Sequence, residues 1–99
     1  MGFKIILTPQ ALADLESIVR FIAKDNRDRA REFGHELVDR AISLASLPER
    51  GRIVPEIGEP RVREIIHRSC RVIYEIYSDP AVVFALRFWH AARGTPEIK

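Results

Sequence analysis

The 99-residue sequence predicts an α+β fold in the order β-α-α-β-β-β. An N-terminal strand is followed by an antiparallel helical hairpin and then a three-stranded antiparallel meander, with the helices packed on one face of a four-stranded sheet. Two observations carry this. Residues 9–47 hold two apolar stripes at spacings of three and four, the signature of amphipathic helices. Residues 61–90 hold three runs of β-branched and aromatic residues, parted by the short turn signals at Ser69 and at Ser78, Asp79 and Pro80. Neither a helical hairpin nor a one-sided sheet can bury its apolar surface alone, and packing one on the other satisfies both.

Each element has its own local cause. Phe3 to Thr8 reads as a short strand. Thr8 and Pro9 form a helix start: a hydroxyl cap, then a proline where a missing N–H costs nothing. The first helix runs to about Lys24, with Leu12, Leu15, Ile18, Val19 and Ile22 on one face. Asp25 and Asn26 break it, and Asn26 caps a second helix expected from Arg27 to Leu47. The stripe there is Ala30, Phe33, Leu37, Ala41 and Leu44, widened by Val38, Ile42 and Ala45. The short break favours an antiparallel hairpin. Pro48 ends the helix, and Pro48 to Pro60 reads as a punctuated loop.

Strand alternation assigns faces. In the last strand Val82, Phe84, Leu86 and Phe88 are expected to meet the helices, leaving Val83, Ala85, Arg87 and Trp89 on the other side. In the strand before it, Val72, Tyr74 and Ile76 read as core, with Arg71, Ile73, Glu75 and Tyr77 opposite. In the first of the three, Val62 and Ile66 oppose Arg61, Arg63, Ile65 and His67, less cleanly. These phases gather Arg63, Arg71 and Arg87 on the second face, with Trp89 and His67 at its margins. Glu75 is a possible partner for one arginine. That face is either open or covered by something else.

The cations are 13 arginines and 3 lysines, and the net charge of +2 falls in residues 51–99. Arginine presents a rigid bidentate fork to carboxylate or phosphate, so the arginine face reads either as anion recognition or as a solvated surface with cross-strand Arg–Glu pairs. At the end of the meander, His90 and Arg93 could exchange a proton and stabilise phosphoryl charge, or could simply be hydrogen-bonded structural residues.

Other chemistry is not signalled. There is no phosphate-binding glycine loop, no HExxH and no metal-ligand spacing. His35, His67 and His90 are scattered, and no cofactor or metal is expected. The one cysteine, Cys70, precludes an internal disulfide and reads as a strand residue rather than a nucleophile. No apolar run approaches the ~20 residues of a membrane span. The N-terminus carries neither a signal peptide nor a myristoylation signal. The composition therefore predicts a single domain over residues 1–99 in the reducing cytoplasm, too small to have a large stability margin.

Taken together, the element order, the loop from Leu47 to Glu56, the runs Arg61 to Ile65 and Cys70 to Tyr74, and the closing Phe88 to Arg93 resemble the RelE/ParE superfamily of bacterial toxins. The resemblance spans nearly the whole chain. It implies the toxin of a type II toxin–antitoxin, or plasmid-stabilisation, module, held inactive by a cognate antitoxin whose C-terminal segment wraps it, in a complex that could be a heterotetramer. One branch cleaves mRNA on the ribosome; the other inhibits DNA gyrase. Arg71 matches the nuclease branch's strand arginine, and Arg71, His90 and Arg93 are the catalytic candidates under that implication. The chain departs from the branch elsewhere. Ala91 stands where a second catalytic arginine belongs, no tyrosine follows in the tail, and only Arg50 and Arg52 replace the expected loop lysines. The ending His90, Ala91, Ala92, Arg93 is similar to the ParE-like branch, so the resemblance favours a gyrase inhibitor. The alternatives are a ribosome-dependent endoribonuclease or a non-toxic antitoxin-binding homologue. Arg63, Arg71, Arg87, Trp89 and Arg93 are the candidates for target or antitoxin contact.

Overall fold

The computed structural model describes residues 2–96 and Ile98. Strand β1 (Lys4–Leu7) leads to helix α1 (Pro9–Ala23) and helix α2 (Arg27–Ser43), then a 3-10 turn at Pro48–Arg50, β2 (Arg52–Ile53), β3 (Val62–His67), β4 (Cys70–Ser78), β5 (Ala81–His90) and a second 3-10 turn at Ala91–Arg93. The strands form one mixed sheet in the order β1-β5-β4-β3-β2. β1 runs parallel to β5, and the other neighbours are antiparallel. The expected α+β order holds. The sheet gains a fifth strand, β2, whose two residues pair with Glu64 and Arg63.

Both helix starts form as their sequences dictate. Thr8 accepts from the Ala11 N–H at 3.1 Å while its hydroxyl donates to the Ala85 carbonyl at 3.0 Å, so one side chain caps α1 and fastens it to β5. Asn26 caps α2 by accepting from the Arg29 N–H at 3.0 Å. The second helix stops at Ser43 rather than Leu47. The residue before a proline is driven out of the helical region, and Leu47 sits at φ −137°, ψ 73° ahead of Pro48.

The core lies between the hairpin and one sheet face. All five α2 stripe residues, Ala30, Phe33, Leu37, Ala41 and Leu44, are buried. In α1 the stripe is rotated: Ala11 and Asp14 point inward, Leu15, Ile18 and Ile22 pack at the core margin, and Leu12 is half exposed. The helices cross closely where Gly34 meets Val19; a Cβ at Gly34 would lie 2.9 Å from the valine Cγ2.

Two strand phases differ from expectation. In β5 the core residues are Val83, Ala85 and Phe88, not Val82, Phe84 and Leu86. Tyr74 pairs with Ala85 and Ile73 with Arg87, so Leu86 is an inserted residue, and this bulge reverses the alternation at that point. Leu86 joins Ile73, Trp89, Val54 and Val62 on the outer face, which is covered by the chain after β2 and by Ile98. In β3, Ile65 packs on the helix side and Arg63 pairs with the core residue Tyr74, so Arg63 and His67 belong to the helix side. His67 confirms this through its ring contact with Phe33 and a 2.7 Å bond to Glu36 of α2.

Candidate functional site

Arg71, the second residue of β4, lies on the outer face beside Trp89 of β5. One strand over, Glu64 is fully buried and spans two arginines: its Oε1 accepts from Arg71 Nε at 2.5 Å and its Oε2 from Arg52 Nε at 2.6 Å. The outer nitrogens of Arg71 form a bidentate pair with Glu56, at 3.0 and 2.8 Å. Two cations thus meet two carboxylates. The Arg71 guanidinium, aided by Glu56's own backbone N–H, lowers the Glu56 carboxyl to about 2, and the same pairing pushes Arg71 further upward.

The second cluster exists because β1 ends at Leu7, opposite Ala85. Beyond that point the edge of β5 is met by α1, whose buried Asp14 takes the Phe88 N–H at 3.2 Å. The same carboxylate accepts from Arg87 Nε at 2.7 Å and Nη2 at 2.9 Å, and from Gln10 at 3.2 Å. Arg93 approaches it at 3.9 Å. Both arginines lie over the Trp89 ring, at 4.9 Å for Arg87 and 4.0 Å for Arg93, and the indole N–H donates to the Gly94 carbonyl at 2.9 Å. Gln10, Asp14, Arg87 and Arg93, together with Ala13, Ser17 and Phe21, line an open cleft of about 330 Å³. Phe21 is 72% exposed.

His90 is held at both ring nitrogens. Nδ1 accepts the Ala92 N–H at 3.1 Å, which places the proton on Nε2, 3.1 Å from the Ser69 hydroxyl. The imidazole therefore caps the final 3-10 turn. Its cross-strand neighbour is Cys70, a core residue on the helix side, whereas Arg71 lies on the outer face. Arg71 and His90 do not converge. Cys70 is buried, and burial pushes its thiol up to about 11. Among the described residues no group of His, Cys, Asp and Glu is placed to hold a metal, and no helix is long and apolar enough to cross a membrane.

A family model described as the ParE toxin of the type II toxin–antitoxin system parDE matches residues 5–94. The chain belongs to the ParE toxin family. It is a RelE/ParE-type toxin of a type II toxin–antitoxin system. Solved structures share the fold. The chromosomal ParDE system of P. aeruginosa aligns with TM-score 0.71 and 18% identity over 89% of this chain and 95% of that one. The RelBE2 toxin–antitoxin complex of Mycobacterium tuberculosis gives 0.70 and 19% over 91% and 99%. A free mutant of E. coli toxin RelE gives 0.67 and 16% over 95% and 88%. No curated sequence matches the chain significantly. ParE and RelE structures fit almost equally well, so the branch must be argued from side chains.

Against that family background, the structure sorts the predicted residues. Arg87, Trp89 and Arg93 come together. Arg71 shares their face but is tied into its own ionic cluster. Arg63 is removed from both; it donates to the carbonyls of Pro60, Gly51 and Glu49 at 2.8, 3.0 and 3.3 Å and so clamps the loop to β3. Glu75 pairs with Arg61 at 3.4 Å. Sequence reasoning missed the three acids that organise the arginines. Asp14 carried a signal, being a carboxylate at stripe spacing between Ala11 and Ile18. Glu56 and Glu64 carried none beyond proximity to a strand.

Proposed function

We propose that this ParE-family toxin is neutralised in the cytoplasm by a cognate antitoxin and acts by inhibiting DNA gyrase rather than by cutting RNA. One observation carries the choice of branch: the arginine that a nuclease would aim at a scissile phosphate has all three of its nitrogens on the carboxylates of Glu56 and Glu64. A phosphate stabiliser has to be available where charge develops, and the buried Glu64 carboxylate stays against this one even when the Glu56 side chain turns to solvent. His90, committed to a backbone cap on the other side of the sheet, supplies no partner for it. The toxin–antitoxin complexes among the structural relatives support the antitoxin. The accessible Arg93, stacked on Trp89 beside the exposed Phe21, is the surface we assign to target contact.

The test is inducible expression in bacteria lacking the neighbouring gene, with DNA-damage induction and protein synthesis scored together. Damage with translation intact is expected, and His90→Ala and Arg71→Ala should both remain toxic, while Arg93→Glu should lose toxicity and keep its fold. Prompt translation arrest with intact DNA, or loss of toxicity on His90→Ala in a folded protein, would overturn the gyrase proposal in favour of the nuclease. Survival of the host with neither response would leave only antitoxin binding.

A further inference from the structure

We infer that the cleft between α1 and the final 3-10 turn is a seat for one unpaired nucleotide of a DNA strand, with the base on Phe21 and the flanking phosphates on Arg93 and Lys24. The inference deepens the gyrase proposal and rests on it for the choice of DNA, the polymer on which gyrase acts.

The seat is built along one side of a helix. Gln10, Ala13, Ser17, Phe21 and Lys24 recur at spacings of three and four through α1 and its C-cap, so they form one stripe. This stripe is separate from the one that packs on the core, where Leu15, Ile18 and Ile22 lie. Phe21 is the most exposed of the large apolar side chains described, and the fold gains little from it there. Its neighbours on the stripe are short or polar. They give a lone aromatic ring at the wall of an open cleft rather than an apolar groove. The cleft, at about 330 Å³, falls at the small end of the range for ligand sites.

Charge selects the ligand. Asp14, the acid of the cleft, is balanced by Arg87 through two hydrogen bonds. Glu16, on the adjoining side of α1, is balanced by Arg20 at 2.8 Å. Arg93 remains half exposed, 3.9 Å from Asp14. Its guanidinium lies over the Trp89 ring, and a guanidinium held by its face still presents its N–H edge to an oxyanion. The Lys24 ammonium is 6.0 Å from the centre of the Phe21 ring, close enough to stay near it without covering it. Two cations thus flank one exposed ring. A single strand matches this pattern with phosphates for the cations and a base face for the ring. Gln10 donates one amide hydrogen to Asp14 and has a second, and a carbonyl, for a base edge. A duplex keeps its bases stacked on one another and has no free face to offer. An acidic apolar peptide would need a wider apolar floor than one ring set among Ala13, Ser17 and Gln10.

The test is fluorescence anisotropy on the purified full chain with a labelled ten-nucleotide oligothymidine. A duplex and an oligouridine of the same length and the blocked tetrapeptide Ile-Glu-Leu-Glu, each with the same label, are parallel arms. Oligothymidine should bind best, with log affinity falling against log salt at a slope of about −1.4 for two phosphates, and Arg93→Ala should bring the slope to about −0.7. Phe21→Ala should weaken binding about tenfold, the scale of one stacked base. Phe21→Leu should lose as much, because it keeps the apolar bulk without the ring face, and Phe21→Tyr should bind as wild type. Arg31→Ala, in the separate groove between α1 and α2, should leave the affinity in place. No binding of oligothymidine, wild-type binding by Phe21→Leu, or equal losses from Arg31→Ala and Arg93→Ala would each overturn the inference. So would tighter binding of the duplex, the oligouridine or the peptide. Phe21 and Arg93 are both exposed, and circular dichroism checks that their variants keep the fold. The titration uses no gyrase, so its failure leaves the DNA-damage test to decide the gyrase proposal, and translation arrest in that test leaves the measured affinities standing.

Discussion

Arg87 and Arg71 are the same side chain put to different use. Arg87 meets Asp14, which projects from a packed helix, is itself buried, and also satisfies the backbone N–H of Phe88. Arg71 meets Glu56, which projects from an exposed turn and serves no other element. The first pair joins helix to sheet, and removing it would cost the fold. The second can open while the fold stands. What distinguishes a structural arginine from an available one is therefore the anchoring of its carboxylate, not the length of its hydrogen bonds, which are alike in the two sites.

The contrast breaks most sharply at Asp14. Asp14→Ala would leave a buried guanidinium and a β5 N–H without their acceptor, and a loss of about 3–5 kcal/mol in urea unfolding is expected. A loss below about 1 kcal/mol would show that α1 and β5 do not depend on this carboxylate. Next in size is Gly51→Ala. A Cβ there would lie 2.5 Å from both the Glu64 carbonyl and the Tyr74 hydroxyl. Tyr74, fully buried, donates to the Pro48 carbonyl at 2.6 Å and accepts the Gly51 N–H at 3.0 Å, and burial raises its pKa. The methyl group must push β2 away from β3 and carry Arg52 off Glu64, at about 1–3 kcal/mol. Unchanged Arg52 and Arg71 side-chain NMR signals in this variant would mean that β2 does not support the ionic cluster.

How far this was legible in sequence follows the range of the interactions. Thr8, Asn26 and the α2 stripe act within a few residues, and their consequences were readable. The phase of β5 was not, because Val82 to Leu86 is apolar on both alternations and a period of two cannot reveal one inserted residue. β2 was invisible for a similar reason: two residues, Arg52 and Ile53, just after Gly51 and shortly before Pro55 carry no pattern. At the candidate site the arginines were visible and their grouping half right. Arg87, Trp89 and Arg93 share a strand end, whereas the placement of Arg63 needed the true phase of β3. The acids could not be matched to their arginines. Asp14 and Arg87 are 73 residues apart, and Glu56 and Arg71 are joined across a turn whose shape depends on Gly58.

The smallest expected effect is the most discriminating for Arg71. The Glu56 carboxyl is lowered to about 2 from an ordinary 4.5. It remains ionised in the folded protein at pH values where the unfolded chain has bound its proton. Its contribution to stability is thus complete above about pH 4.5 and is lost as pH falls toward 2. Glu56→Gln should lower neutral-pH stability by less than about 1 kcal/mol, as expected of a partly exposed pair. It should also flatten the stability–pH curve between 4.5 and 2, converging with wild type at the acid end. Glu36, likewise lowered to about 2 by its bonds to His67 and Arg68, titrates over the same range, so Glu36→Gln is the control whose effect should add to that of Glu56→Gln. Wild-type and Glu56→Gln curves running parallel through that range would place the Glu56 carboxylate in water rather than on Arg71. The difference drawn between the two arginines would then be one of partner as well as of anchoring.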